Sequence, residues 1–107
     1  MKTIHYNKLV RDKIPDVIAA SGKQAVWSTA NDEVYYQKLK EKLVEELDEF
    51  LKSDSVEELA DLVEVVEAIL ASKHITLSQF NALRAEKNQH RGAFTKKILL
   101  KSVISEE

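Results

Sequence analysis

The sequence predicts a mainly all-α domain, with an antiparallel helical hairpin at the core of a four-helix-bundle-like arrangement. Three observations carry this. Apolar residues recur at separations of three and four along residues 33–52 and again along 56–72. Only Ser53–Ser55 lie between the two runs, and so short a turn makes neighbouring helices antiparallel. Two glycines and one proline in 107 residues leave little room for linkers or disorder. A single domain spanning 1–107 is expected. Such a chain buries about two-thirds of its unfolded surface, so a second copy would help to complete the core.

The elements follow in order. Leu9, Val10, Ile14, Val17 and Ile18 have helical spacing, but Pro15 suits only a first turn. The backbone is therefore irregular to about Asp12, and a short helix then runs to a stop at Gly22. Residues 24–29 are short and rich in β-formers, which predicts a short strand. Asn31 or Asp32 caps the next helix, Glu33–Lys52, whose stripe is Tyr36, Leu39, Leu43, Leu47, Phe50 and Leu51. Asp54 or Ser55 caps the third, Val56–Ser72, with the stripe Leu59, Leu62, Val63, Val66, Ile69 and Leu70. Thr76 or Ser78 caps a fourth, 77–90, ended by Gly92. Residues 96–104 are again β-rich and are expected to pair with 24–29. Trp27 and Phe94 are expected in the core or at a subunit interface. His74 reads as a helix-end residue, and His5 and His90 as exposed.

Charge is segregated along this chain. Residues 41–72 hold eleven acids and two bases, a local charge of −9, while the whole chain carries −2. The +7 elsewhere lies in two basic flanks, residues 1–24 and 73–107. Four acids within Glu45–Glu49 repel one another by a few tenths of a kcal/mol per neighbouring pair. An acidic centre between basic flanks suits an anionic ligand that arrives with a metal, and it argues against nucleic acid. The absence of cysteine excludes disulfides and thiolate chemistry. No signal-peptide core and no membrane-length apolar run occur, so a cytoplasmic protein that does not enter membranes is expected.

Advancing about 100° per residue separates the acids. Glu46 and Glu49 fall on one flank of the second helix's apolar face. Glu58 and Asp61 fall on the edge of the third's. Glu45 and Asp48 turn outward. In an antiparallel hairpin the two carboxylate edges can face each other across a half-buried seam. Without a cation such a seam is repulsive, and some of its acids stay protonated. Oxygen-only ligation suits a hard cation, Mg²⁺ or Mn²⁺ in its place.

Lys42-Leu-Val-Glu45-Glu46-Leu-Asp-Glu49, followed by Glu57-Glu58-Leu-Ala-Asp61-Leu, resembles the EExxE…ExxD signature of the all-α nucleoside triphosphate pyrophosphohydrolases. This group includes the MazG-like proteins and phosphoribosyl-ATP pyrophosphohydrolase. Tyr6-Asn7-Lys8-Leu9-Val10-Arg11-Asp12-Lys13-Ile14-Pro15 and Lys87-x-x-x-Arg91-Gly92-x-Phe94 are similar to the phosphoribosyl-ATP pyrophosphohydrolase-like subgroup. The resemblance implies a four-helix core completed by dimerisation. It also implies Mg²⁺-dependent cleavage between the α and β phosphates of a nucleotide, giving a monophosphate and pyrophosphate. Glu46, Glu49, Glu58 and Asp61 match the metal-binding carboxylates, and Glu45 matches a further acidic position. Only Phe50–Glu57 separates the two motifs, a shorter connector than many relatives have.

Phosphoanhydride hydrolysis needs neutralised phosphate charge and an oriented water. Glu49 or Glu46 is the candidate acceptor of the water's proton. Lys8, Arg11 and Lys13 before the hairpin, and Lys87 and Arg91 after it, are the candidate phosphate ligands. House-cleaning of nucleotides is the leading expectation. The alternatives are a non-catalytic helical module binding a nucleotide or a partner, and the histidine-biosynthetic reaction itself.

Overall fold

The structure, a computed structural model, describes residues 1–106. It is all-helical: α1 is Ile14–Ala20, α2 Asp32–Ser53, α3 Val56–Ser72 and α4 Leu77–Arg91. The chain divides into two compact units, Met1–Ile75 with α1–α3, and the remainder from Thr76 with α4. No described helix is long and apolar enough to cross a membrane.

Local chemistry sets each boundary. Pro15 sits in the first turn of α1, where its missing N–H costs nothing. Gly22, just beyond the helix, has φ +88°. The Asn31 side chain accepts the Val34 N–H at 2.8 Å and starts α2. Asp54 ends α2 in the left-handed conformation, φ +55°, and its N–H donates to the Phe50 carbonyl at 2.7 Å. Ser55 then caps α3 by accepting from Glu57 N–H at 3.2 Å. In the second unit Thr76 and Gln79 form a reciprocal capping box on α4, which Gly92 closes.

The predicted strands at 24–29 and 96–104 do not form; both segments are irregular and almost wholly exposed. Their β-rich composition describes side chains suited to a sheet, but a strand exists only with a ladder partner. Trp27 and Phe94 are exposed at 66% and 98%, so neither lies in the core of its unit. His5 and His90 are exposed as expected, and His74, with φ +60°, follows the C-terminal end of α3.

In the first unit α2 and α3 pack on each other. Leu39 of α2 and Val65 and Leu70 of α3 are its buried apolar side chains, Leu39 the most completely. Each contributes about 1.5–3 kcal/mol. The packed surface is not the middle of either predicted stripe. Glu46 is buried, as Leu39 is, and Glu58 and Asp61 are half-buried, while Leu47, Leu51, Leu59 and Val63 are exposed. Both helices are thus turned toward their carboxylate-bearing flanks. The hairpin holds acid within its seam and leaves apolar side chains on its outer flank.

Candidate metal centre

α2 presents Lys42, Glu45, Glu46 and Glu49 on successive turns, and α3 presents Glu58 and Asp61 one turn apart. The close Asp54–Ser55 connection brings these two sets opposite each other. Glu46, Glu58 and Asp61 each offer an oxygen, and the three oxygens lie within 4.8 Å of one another. One octahedral Mg²⁺, with metal–oxygen distances of about 2.0–2.1 Å, holds its ligand oxygens roughly 3–4 Å apart. A small inward movement of the carboxylates therefore suffices. An all-oxygen, three-carboxylate donor set suits a hard divalent cation.

Glu49, the fourth predicted carboxylate, stands outside this trio and is exposed. It is close enough for its charge to act on Glu58. Partial burial raises the Glu58 carboxyl above the ordinary glutamate value, and the charges of Glu49, Asp61 and Glu46 push it further the same way.

Cations from two sources balance the seam. Lys42 Nζ lies 3.2 Å from Glu45 and 3.5 Å from Glu46, at i,i+3 and i,i+4 spacing. The irregular segment before α1 supplies the others. Lys8 Nζ donates to Glu45 Oε1 at 2.9 Å, and Arg11 Nη2 donates to Asp61 Oδ1 at 2.7 Å. Lys8 chiefly, then Lys42, holds the Glu45 carboxyl below its ordinary value. Lys38 Nζ donates to the Asn7 carbonyl at 3.1 Å and ties the same segment to α2. Lys13, also predicted to meet phosphate, is the exposed residue preceding α1 and makes no ion pair among the described residues. Lys87 and Arg91 lie on α4 in the second unit, with Arg91 in the last turn, where positive charge suits the helix dipole.

Arg11, Lys42, Glu46 and Asp61 line one cavity of about 500 Å³, with Leu9 and Leu39 as apolar wall. Ligand pockets span roughly 300–1,000 Å³. Glu64 joins this wall. Neither Lys42 nor Glu64 was singled out for the site from sequence. The signal for Lys42 was its spacing from Glu45 and Glu46, and that for Glu64 its position one turn beyond Asp61. A second cavity of about 340 Å³, beside Tyr36 and Lys73, contains none of the predicted site residues.

No protein-family profile matches the chain, and no solved structure matches it. A 48-residue stretch is 44% identical to a protein of Mycolicibacterium smegmatis (strain ATCC 700084 / mc(2)155) described as uncharacterized. That match covers 45% of this chain and 49% of the other, so it spans about half the length of the curated relative.

Proposed function

We propose that the protein is a divalent-metal-dependent nucleotide pyrophosphohydrolase, acting between the α and β phosphates to release a monophosphate and pyrophosphate. One observation carries the reading: carboxylate oxygens of Glu46, Glu58 and Asp61, drawn from two helices, come together, and two of the three, Glu46 and Asp61, line a cavity with Arg11 and Lys42. The resemblance of the same residues to the EExxE…ExxD signature supports it. Glu46, Glu58 and Asp61 would hold Mg²⁺ or Mn²⁺, which when bound neutralises phosphate charge and lowers the pKa of a water. Lys42 and Arg11 would bind phosphate oxygens, with the guanidinium suited to a two-point contact. Glu49, outside the trio and exposed, is the better placed of the two candidate bases to take the water's proton. Water adds to the α-phosphorus, the bond to the α–β bridging oxygen breaks, and pyrophosphate leaves. Lys8 and Lys13, in the same unit as the carboxylates, are assigned to the outer phosphate field.

A cytoplasmic homodimer completes the proposal. Leu47, Leu51, Leu59 and Val63 form an exposed apolar flank on the hairpin, and a second copy would cover it. The test is a panel of nucleoside triphosphates, with phosphoribosyl-ATP included, incubated with Mg²⁺ and assayed for pyrophosphate. Glu46→Gln combined with Asp61→Asn should lower turnover at least 100-fold; full retention, or no cleavage of any nucleotide by wild type, refutes the reading. A mass near twice 12.2 kDa in solution is expected for the dimer.

The ion pairs of Lys8 and Arg11 favour one alternative, a non-catalytic helical nucleotide- or partner-binding module whose acids are already neutralised. It predicts saturable nucleotide binding without pyrophosphate release.

A further inference from the structure

We propose that Arg11 is an internal counter-cation of the carboxylate trio, beside Lys42 on Glu46, and that a divalent cation binds by displacing it from Asp61. This rests on reading the trio as a metal site. One Asp61 carboxylate has two claims on it: it belongs to the Glu46–Glu58–Asp61 cluster, and it accepts from Arg11 Nη2 at 2.7 Å. A metal within that cluster takes electron density from the same carboxylate and brings two positive charges beside the guanidinium. Both effects weaken the Arg11 pair.

The segment that carries Arg11 is built to let go. Residues 1–13 form no helix, and Asn7 within them has φ +47°. Their hydrogen bonds to α2 and α3 are side-chain contacts made by Lys8, Arg11 and Lys38. Arg11 and Asp61 are both substantially exposed, with side chains 56% and 40% accessible. Such pairs are weak enough to exchange. Lys42 differs, because its side chain is only 17% accessible and sits on a helix shared with Glu45 and Glu46. It stays as the metal enters. Arg11, once freed, remains on the wall of the same cavity and becomes available to a phosphate group. The exchange thus orders the events: metal first, then a guanidinium released to the phosphate that accompanies it.

The experiment is Mn²⁺ binding to the full chain without nucleotide, followed by electron paramagnetic resonance of the free ion. Arg11→Gln should bind Mn²⁺ about three- to tenfold more tightly than wild type. Arg11→Lys should stay near wild type, and Lys8→Gln should change less than Arg11→Gln, because Glu45 lies outside the trio. In an Asp61→Asn background Arg11→Gln should no longer tighten binding. With Mn²⁺ and α,β-methylene-ATP, Arg11→Gln should weaken the analogue about tenfold. Arg11→Met, which keeps the apolar stem, replaces Arg11→Gln if far-UV circular dichroism shows that variant misfolded. Unchanged or weaker Mn²⁺ binding in the folded Arg11 variant, with Asp61→Asn defective, overturns the exchange and leaves the metal site standing. Wild-type Mn²⁺ affinity in Glu46→Gln, Glu58→Gln and Asp61→Asn alike overturns both.

Discussion

Lys8 Nζ meets Glu45 Oε1 at 2.9 Å across 37 positions of sequence, joining the irregular N-terminal segment to the middle of α2. The bond has a defined pH window. The Glu45 carboxyl is lowered by Lys8, so its contribution to stability is present above the ordinary glutamate value and is lost as pH falls through the depressed one. The Lys8 ammonium is raised by Glu45, so its contribution is lost only as alkali passes the raised value. Both side chains are partly exposed, 44% and 31%, and screening holds the pair to about 0.2–1 kcal/mol. Lys8→Gln should lose that amount in urea denaturation at neutral pH. The difference from wild type should vanish in strong acid and shrink in high salt.

Glu58 behaves in the opposite sense. Its raised carboxyl means that folding favours the protonated form, a preference present in acid and lost as pH rises through the raised value. Glu58→Gln keeps the neutral form at every pH. Its Tm should exceed that of wild type at pH 7, and the gap should close as pH falls. The same variant should bind Mn²⁺ more weakly. A lower Tm at pH 7 would show that Glu58 is not held under repulsion.

Core and outer flank should separate cleanly in a stability series. Leu39 is 2% exposed, and Leu39→Ala should cost about 2–5 kcal/mol. Leu51 is 69% exposed, and Leu51→Ala should stay within about 0.5 kcal/mol when measured on dissociated chains. At concentrations that favour association, Leu51→Ala should become more costly if a second copy covers this flank. Urea titrations at two protein concentrations distinguish the cases.

The helices were legible because their signals are local. Asn31, Ser55 and Thr76 each have a side-chain oxygen able to satisfy an orphan N–H, and each caps the helix that its position predicts. The carboxylate edges were legible for the same reason, since spacing along a helix fixes which face a residue shares. Rotation about each helix axis was not. Apolar periodicity locates a stripe, but it does not say which part of that stripe meets the neighbouring helix. Val65, buried between the carboxylate positions, lay outside the predicted stripe, whereas Leu59 and Val63 lay inside it and are exposed. Glu49 shares a flank with Glu46 yet is exposed and stands apart from the trio. The Arg11–Asp61 pair spans 50 positions, beyond any local pattern. The segments 24–29 and 96–104 misled because β-propensity is satisfied only by pairing.

The close turn at Asp54–Ser55 has a consequence for the order in which the molecule assembles. Glu46 and Glu58 are twelve positions apart, and the loop that must close between them is short. Contacts at such small separation form early in folding, whereas Arg11 must be brought to Asp61 across 50 positions. The carboxylates therefore gather before their arginine arrives. On this order the seam would be at its most repulsive before Arg11 docks, and an ion from the medium would then serve as a folding counter-charge.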